Sequence, residues 1–207
     1  MCPLMASQVA HIIYAEKYFK KYPSKINRDE FILGCVFPDI RRIDENVKRK
    51  MTHRAFDPLD LNFEGLTSFQ AGWKFHLYCD MKREEILNKY KFYELEYTAD
   101  FWHHPSKMLE DELIYDEYEN WEKLAHYFNS APHIEAGIGV SQETFSLWYA
   151  ILAKYVESKP GDRSMRVFLS KQRNLSEMVN ELAEAIDKLR KNDKVGEILK
   201  KVAEEIV

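Results

Sequence analysis

Turn residues are scarce in this chain. Glycine and proline number 7 each among 207 residues, about 7% together where globular chains average about 12%. An all-β chain with many tight turns would need more of both, so the composition leans helical. Cysteine is scarce too. Cys2, Cys35 and Cys79 are odd in number and far apart, which matches neither a disulfide framework nor a cysteine-rich metal site and reads as inert thiols in a reducing compartment. No apolar run approaches the roughly 20 residues that a membrane span needs. Positive charge is not in excess: 30 Lys and Arg stand against 34 Asp and Glu, a net charge of −4. No basic field is available to hold a nucleic-acid backbone, so nucleic acid is expected only as a substrate. The opening Met1-Cys2-Pro3-Leu4-Met5-Ala6 lacks the cationic and apolar segments of a secretory leader, and a cytoplasmic protein is expected.

Apolar residues make up 45% and charged residues 31%, the balance of a globular chain with a real core. The length suits one domain, with residues 170–207 readable as an appended helical hairpin. Aromatic residues (12 Tyr, 12 Phe, 4 Trp) are plentiful for a helical protein and suggest a thick core or a ligand cavity. Helical spacing of apolar positions predicts helices over 5–21, 28–36, 67–90, 106–129, 141–158, 175–191 and 195–207. Residues 40–66 read as one long irregular connection, charged at its start, of the kind that is often functional in a compact domain. The expected fold class is all-α, a multi-helix bundle. The last two helices are amphipathic and read as a pair covering the core, with a homodimer interface as the alternative.

The helix over 67–90 carries residues that do not fit a bland core. Phe69, Gly72, Trp73, His76, Leu77 and Asp80 share one stripe at helical spacing, the stripe that should face inward. His76 and Asp80 lie one above the other on it. A buried carboxylate needs a partner, and either a self-contained His–Asp pair or a metal ion supplies one. His11 lies in the first helix beside Tyr14, Ala15 and Tyr18 and is expected to be enclosed. Asp39 follows Pro38, where the chain should turn extended. His53, in the long connection, is of the type usually found in solvent. His11, Asp39, His53, His76 and Asp80 thus come from four segments, and mixed imidazole and carboxylate donors suit Zn, Fe, Mn or Ni.

The order of these residues resembles the zinc-dependent phospholipase C and P1-type nuclease superfamily. The resemblance is carried by His11, Phe31-Ile32-Leu33-Gly34 leading to Pro38-Asp39, Thr52-His53, and Gly72-Trp73-Lys74-Phe75-His76-Leu77-Tyr78-Cys79-Asp80, all within the first 80 residues. It implies an all-helical fold whose ions hydrolyse phosphodiesters. It also implies that Asp39, His53, His76 and Asp80 bind one ion and that His11 binds a second, bridged by Asp80. The family's downstream His-x-x-x-carboxylate has no counterpart here, so one or two divalent ions are expected, zinc first among them, with His103 or His104 as an extra donor. A metal-activated water would then attack a small phosphorylated substrate, and Arg41, Arg42 and Arg54, next to two of the ligands, are candidates to bind its phosphate. The first rival is the HD class of helical metal phosphohydrolases, whose His-Asp dipeptide is absent. The second is a non-catalytic helical binding protein with a structural metal.

Overall fold

The computed structural model describes residues 7–53 and 56–207. They are helical, with no strand among the described residues. The α-helices are α1 (Gln8–Lys21), α2 (Arg28–Val36), α3 (Arg49–Thr52), α4 (Ser68–Lys89), α5 (His104–Ile114), α6 (Trp121–Asn129), α7 (Gln142–Val156), α8 (Asp162–Ser170), α9 (Val179–Arg190) and α10 (Asp193–Glu205). No helix among the described residues is long and apolar enough to cross a membrane.

Local chemistry sets several of the boundaries. Asn27 caps α2 by accepting from the Glu30 amide at 3.1 Å. Ser141 caps α7 by accepting from the Thr144 amide at 3.1 Å. Thr67 and Gln70 exchange reciprocal side-chain to backbone bonds of 3.2 Å at the start of α4, which satisfies amides that a helix N-terminus leaves unpaired.

Three expected features differ. The helix expected over 106–129 is two helices, separated by a 3-10 turn at Tyr115–Glu117. The Trp121 indole donates to the Tyr115 carbonyl at 3.0 Å and its ring stacks on Tyr115 at 4.6 Å, so a local aromatic contact takes a carbonyl that a continuous helix would use. The connection over 40–66 is not wholly irregular, since it holds α3. The chain at Pro38 is not extended: a 3-10 helix runs from Phe37 to Arg42, with Phe37 in the right-handed helical region. Pro38 sits in the first turn of that helix, where its missing amide costs nothing.

The core is organised around α2 and α4. They cross with Gly34 and Gly72 face to face. A Cβ on Gly34 would run into the Phe69 carbonyl, and a Cβ on Gly72 would run into the Phe31 carbonyl. This close approach brings the C-terminal carbonyls of α2 within reach of side chains from two other helices. Leu33 O accepts from the Tyr149 hydroxyl at 2.7 Å, Val36 O from the Trp148 indole at 3.1 Å, and Cys35 O lies 2.8 Å from His76 Nδ1. Groups that a helix end normally leaves to water are therefore satisfied inside the protein. The pair α9 and α10 packs on α5 and shares the main apolar core through Leu182, Ile186, Leu189, Ile198, Leu199 and Val202.

Gly72→Ala should cost about 3 kcal/mol or prevent folding, because overpacking against backbone cannot relax by a rotamer change. Gly196→Ala is the control. Its added Cβ meets only Leu113 Cδ1 at 4.0 Å, and a helix interior favours alanine over glycine by about 0.5–1 kcal/mol. Urea unfolding of the two variants should move in opposite directions.

Candidate metal centre

Four side chains from two helices and one helix end meet beside the α2–α4 crossing. Asp80 is the hub. His11 Nε2 lies 3.3 Å from Asp80 Oδ1, His76 Nε2 lies 3.4 Å from Oδ2, and His53 Nε2 lies 3.9 Å from Oδ2. The His11 and His76 rings stack at 3.9 Å between centroids, and the His53 ring meets the His76 ring edge-on at 5.6 Å. His11 and His76 are fully buried, and the side chains of His53 and Asp80 are 4% and 6% exposed.

Each imidazole is aimed by a separate contact. The Cys35 carbonyl can only accept, so His76 Nδ1 carries the proton and Nε2 points at Asp80. His53, expected in solvent, is buried instead. The Trp73 indole donates to the Thr52 carbonyl and fixes the end of α3 against α4. The Thr52 hydroxyl lies 2.9 Å from His53 Nδ1 and donates to the Arg49 carbonyl at 3.4 Å. It is therefore placed to accept from Nδ1–H and leave Nε2 toward Asp80. His11 is held by α1, whose first turn is secured where Asp111 of α5 accepts from the Ala10 amide at 2.9 Å.

The electrostatics arise from burial and the shared carboxylate. Burial, reinforced by the neighbouring His76, lowers the His11 pKa from 6.5 to about 4, and the same two causes lower His53 to about 3. Burial acts on His76 in the same direction, but the Asp80 carboxylate outweighs it and the His76 pKa is raised. Burial would raise the Asp80 pKa, yet His76 and His11 hold it below the ordinary value.

These residues fit a divalent ion. One donor atom each from His11, His76 and Asp80 falls within 4.8 Å of the others. Both ring nitrogens of His11 and Nε2 of His76 are buried without a hydrogen-bond partner, and their approach to Asp80 is longer than an aligned N–H···O bond. Buried nitrogens of this kind normally have a partner, and an ion would supply it.

The other expected residues fall elsewhere. Asp39 is buried beside the cluster, but its oxygens are engaged: Oδ2 accepts from Gln8 Nε2 at 2.7 Å and Oδ1 from Arg42 Nε at 2.9 Å, with Arg41 3.6 Å away. Burial would raise its pKa, and the two arginines hold it well below the ordinary value. Arg41 and Arg42 are thus not a solvated charged loop; their side chains are 17% and 12% exposed. Arg54 lies outside the described residues, as does Cys2. His103 and His104 form the entry to α5. His103 Nδ1 lies 2.7 Å from the Thr98 carbonyl. Burial, with Lys107 and Arg42, lowers His104 to about 2. His126 and His133 are exposed. Sequence reading missed Lys107 and Arg83, both buried near the cluster. A lysine and an arginine on helices carry no pattern that marks them as interior.

Comparison with family models, with curated proteins and with solved structures finds no match for this chain.

Ion binding competes with protons for imidazole. His11 and His53 are already neutral above about pH 5, while His76 is not. Below the His76 pKa, zinc affinity should fall about tenfold per pH unit, a slope of one. Calorimetry in buffers of different ionisation enthalpy should count one proton released per ion at about pH 6. Three would contradict the depressed pKa values of His11 and His53.

Proposed function

We propose that the protein is a metal-dependent hydrolase of phosphoesters, of the phospholipase C and P1 nuclease type. The observation that carries the reading is the convergence of three buried imidazoles, from α1, the end of α3, and α4, on the Asp80 carboxylate. Their distribution supports it further. His11 faces Oδ1, while His53 and His76 face Oδ2, the division that a carboxylate shared by two ions requires.

In this reading His11, His53, His76 and Asp80 hold one or two divalent ions, zinc first among them by donor chemistry. When bound, such an ion supplies Lewis acidity and lowers the pKa of a coordinated water toward neutrality. The chain's own residues orient and exclude. The Cys35 carbonyl and the Thr52 hydroxyl fix the imidazole tautomers. Asp80, held ionised, supplies the negative charge. The enclosed setting strengthens each electrostatic contact. Asp39 tethers Arg42 beside the site, where a guanidinium suits the phosphoryl oxygens of a small substrate.

The near-complete burial of the donors favours a second reading, an enclosed ion that serves stability alone. One experiment separates the two. Zinc-loaded protein should hydrolyse bis(4-nitrophenyl) phosphate and lose that activity on chelation while its helical circular dichroism persists. His76→Ala should lose the ion and about 100-fold or more in turnover, beyond what an outer supporting contact costs. Equal metal occupancy in parent and variant, or turnover that survives chelation, would sink the catalytic reading. A lower melting temperature on chelation, with no turnover in any loaded form, selects the structural one.

A further inference from the structure

A groove of about 810 Å³ opens between α7 and α8. No residue of the metal cluster lines it. Its floor is the ring pair of Tyr155 and Phe168, both buried and stacked at 4.1 Å between centroids. Its walls are apolar too: Ala150 and Ile151 from α7 face Val167 from α8. Leu147 extends the α7 stripe by one turn, at the i, i+3, i+4 spacing that it shares with Ala150 and Ile151. Leu147 and Val167, 55% and 46% exposed, are the two most exposed large apolar side chains among the described residues. Apolar residues scattered singly over a surface need no explanation, but a continuous patch set in a concave groove marks a site of association.

The charges around this patch are uneven. The two acids in the lining, Glu157 and Asp162, are already paired with Lys154 and Arg166. Lys159 is paired with Asp116. Arg163 and Lys171 are exposed, and neither has an ion-pair partner among the described residues. They stand on one stripe of α8 with Val167 midway between them, one turn from each. A rise of 1.5 Å per residue sets them about 12 Å apart along the helix axis. The groove is therefore apolar in the middle and positive at both ends of α8.

We propose that the groove between α7 and α8 docks an amphipathic helix of a partner protein, whose apolar stripe covers Ile151, Val167 and Phe168 and whose acidic residues, about two turns apart, meet Arg163 and Lys171. An apolar helix face seated between two helices is a recurring recognition mode, and the flanking charges set partner choice and register. The spacing of the cations selects this occupant. A fatty anion with a single head would meet one of them and leave the other unanswered. A second copy presenting the same face would set Arg163 and Lys171 against their like.

The test is fluorescence anisotropy of a capped synthetic peptide of about 16 residues, long enough to form a helix on docking. It carries leucines at helical spacing between two glutamates about two turns apart, and a twin peptide carries lysines in their place. The full chain should bind the glutamate peptide and bind the lysine twin about tenfold or more weakly, the worth of one ion pair well placed at an interface. Val167→Asp should weaken the glutamate peptide by a similar factor. The double variant Arg163→Glu, Lys171→Glu should reverse the preference and take the lysine twin. All three positions are exposed, so circular dichroism and melting temperature should stay at the parent values. No binding of the glutamate peptide, equal affinity for the twins, or affinity that survives Val167→Asp overturns the proposal. Displacement of the peptide by dodecanoate at equal concentration assigns the groove to a lipid anion instead. Self-association of the parent that Val167→Asp abolishes assigns it to a second copy.

Discussion

The structure depends on one close contact, the crossing of α2 and α4 at Gly34 and Gly72. Without a Cβ on either side, each backbone packs against the other's carbonyl, and the helices come nearer than ordinary side chains would permit. That short distance has chemical consequences. The Cys35 carbonyl reaches His76 Nδ1, which fixes the tautomer and aims Nε2 at Asp80 one turn along. The same crossing brings Trp73 to the Thr52 carbonyl and so carries His53 inward from a short helix that could not bury it alone. A backbone constraint thereby becomes a ligand geometry.

Electrostatically, the interior divides into two halves. Around Asp80 sit three imidazoles, two of which burial keeps neutral, so one carboxylate faces mostly uncharged donors. Around Lys107 sit two arginines, with Glu110 shared between Arg83 and Tyr14 and Asp39 shared among Gln8, Arg42 and Arg41. On the reading proposed above, an ion in the first would take up the His11 and His76 ring nitrogens that no hydrogen bond satisfies.

How far the sequence reveals this varies with the range of the interaction. Helices whose signals are local are legible to the residue: α2 begins after Asn27 and ends at Val36, α4 is capped by Thr67, and α7 by Ser141. His76 and Asp80 are legible as a site because helical periodicity places both on the inward stripe. His53 reads as a solvent residue, because the bond that buries it comes from Trp73, 20 positions away and on another helix. The break between α5 and α6 is hidden for a different reason: the bond from Trp121 to the Tyr115 carbonyl spans only six residues, but helical periodicity does not register it. Lys107 is the extreme case. Every residue from Pro105 to Asp111 is buried, so α5 has no solvent face over that stretch, and a lysine there breaks the rule that charged positions mark the outside.

That burial bears on what the polar interior is for. Placing Lys107, Arg83, Glu110, Asp111, Asp80 and three histidines in the middle of a helical protein opposes stability, since desolvation costs several kcal/mol per unpaired ion. An apolar core of the same volume would fold more tightly. The rest of the molecule shows that this chain can build one: the aromatic cluster of Phe37, Phe69, Trp73 and Phe145 is buried. Most of the buried ionisable groups gather where α1, α4, α5 and the end of α3 meet, while Glu16 and Lys74 pair with Arg28 and Asp60 away from it. Each of them is either tied to a specific partner or left with donor or acceptor capacity directed at its neighbours. A structural salt-bridge network would close that capacity; the ring nitrogens of His11 and Nε2 of His76 leave it open, as the proposed ion site requires.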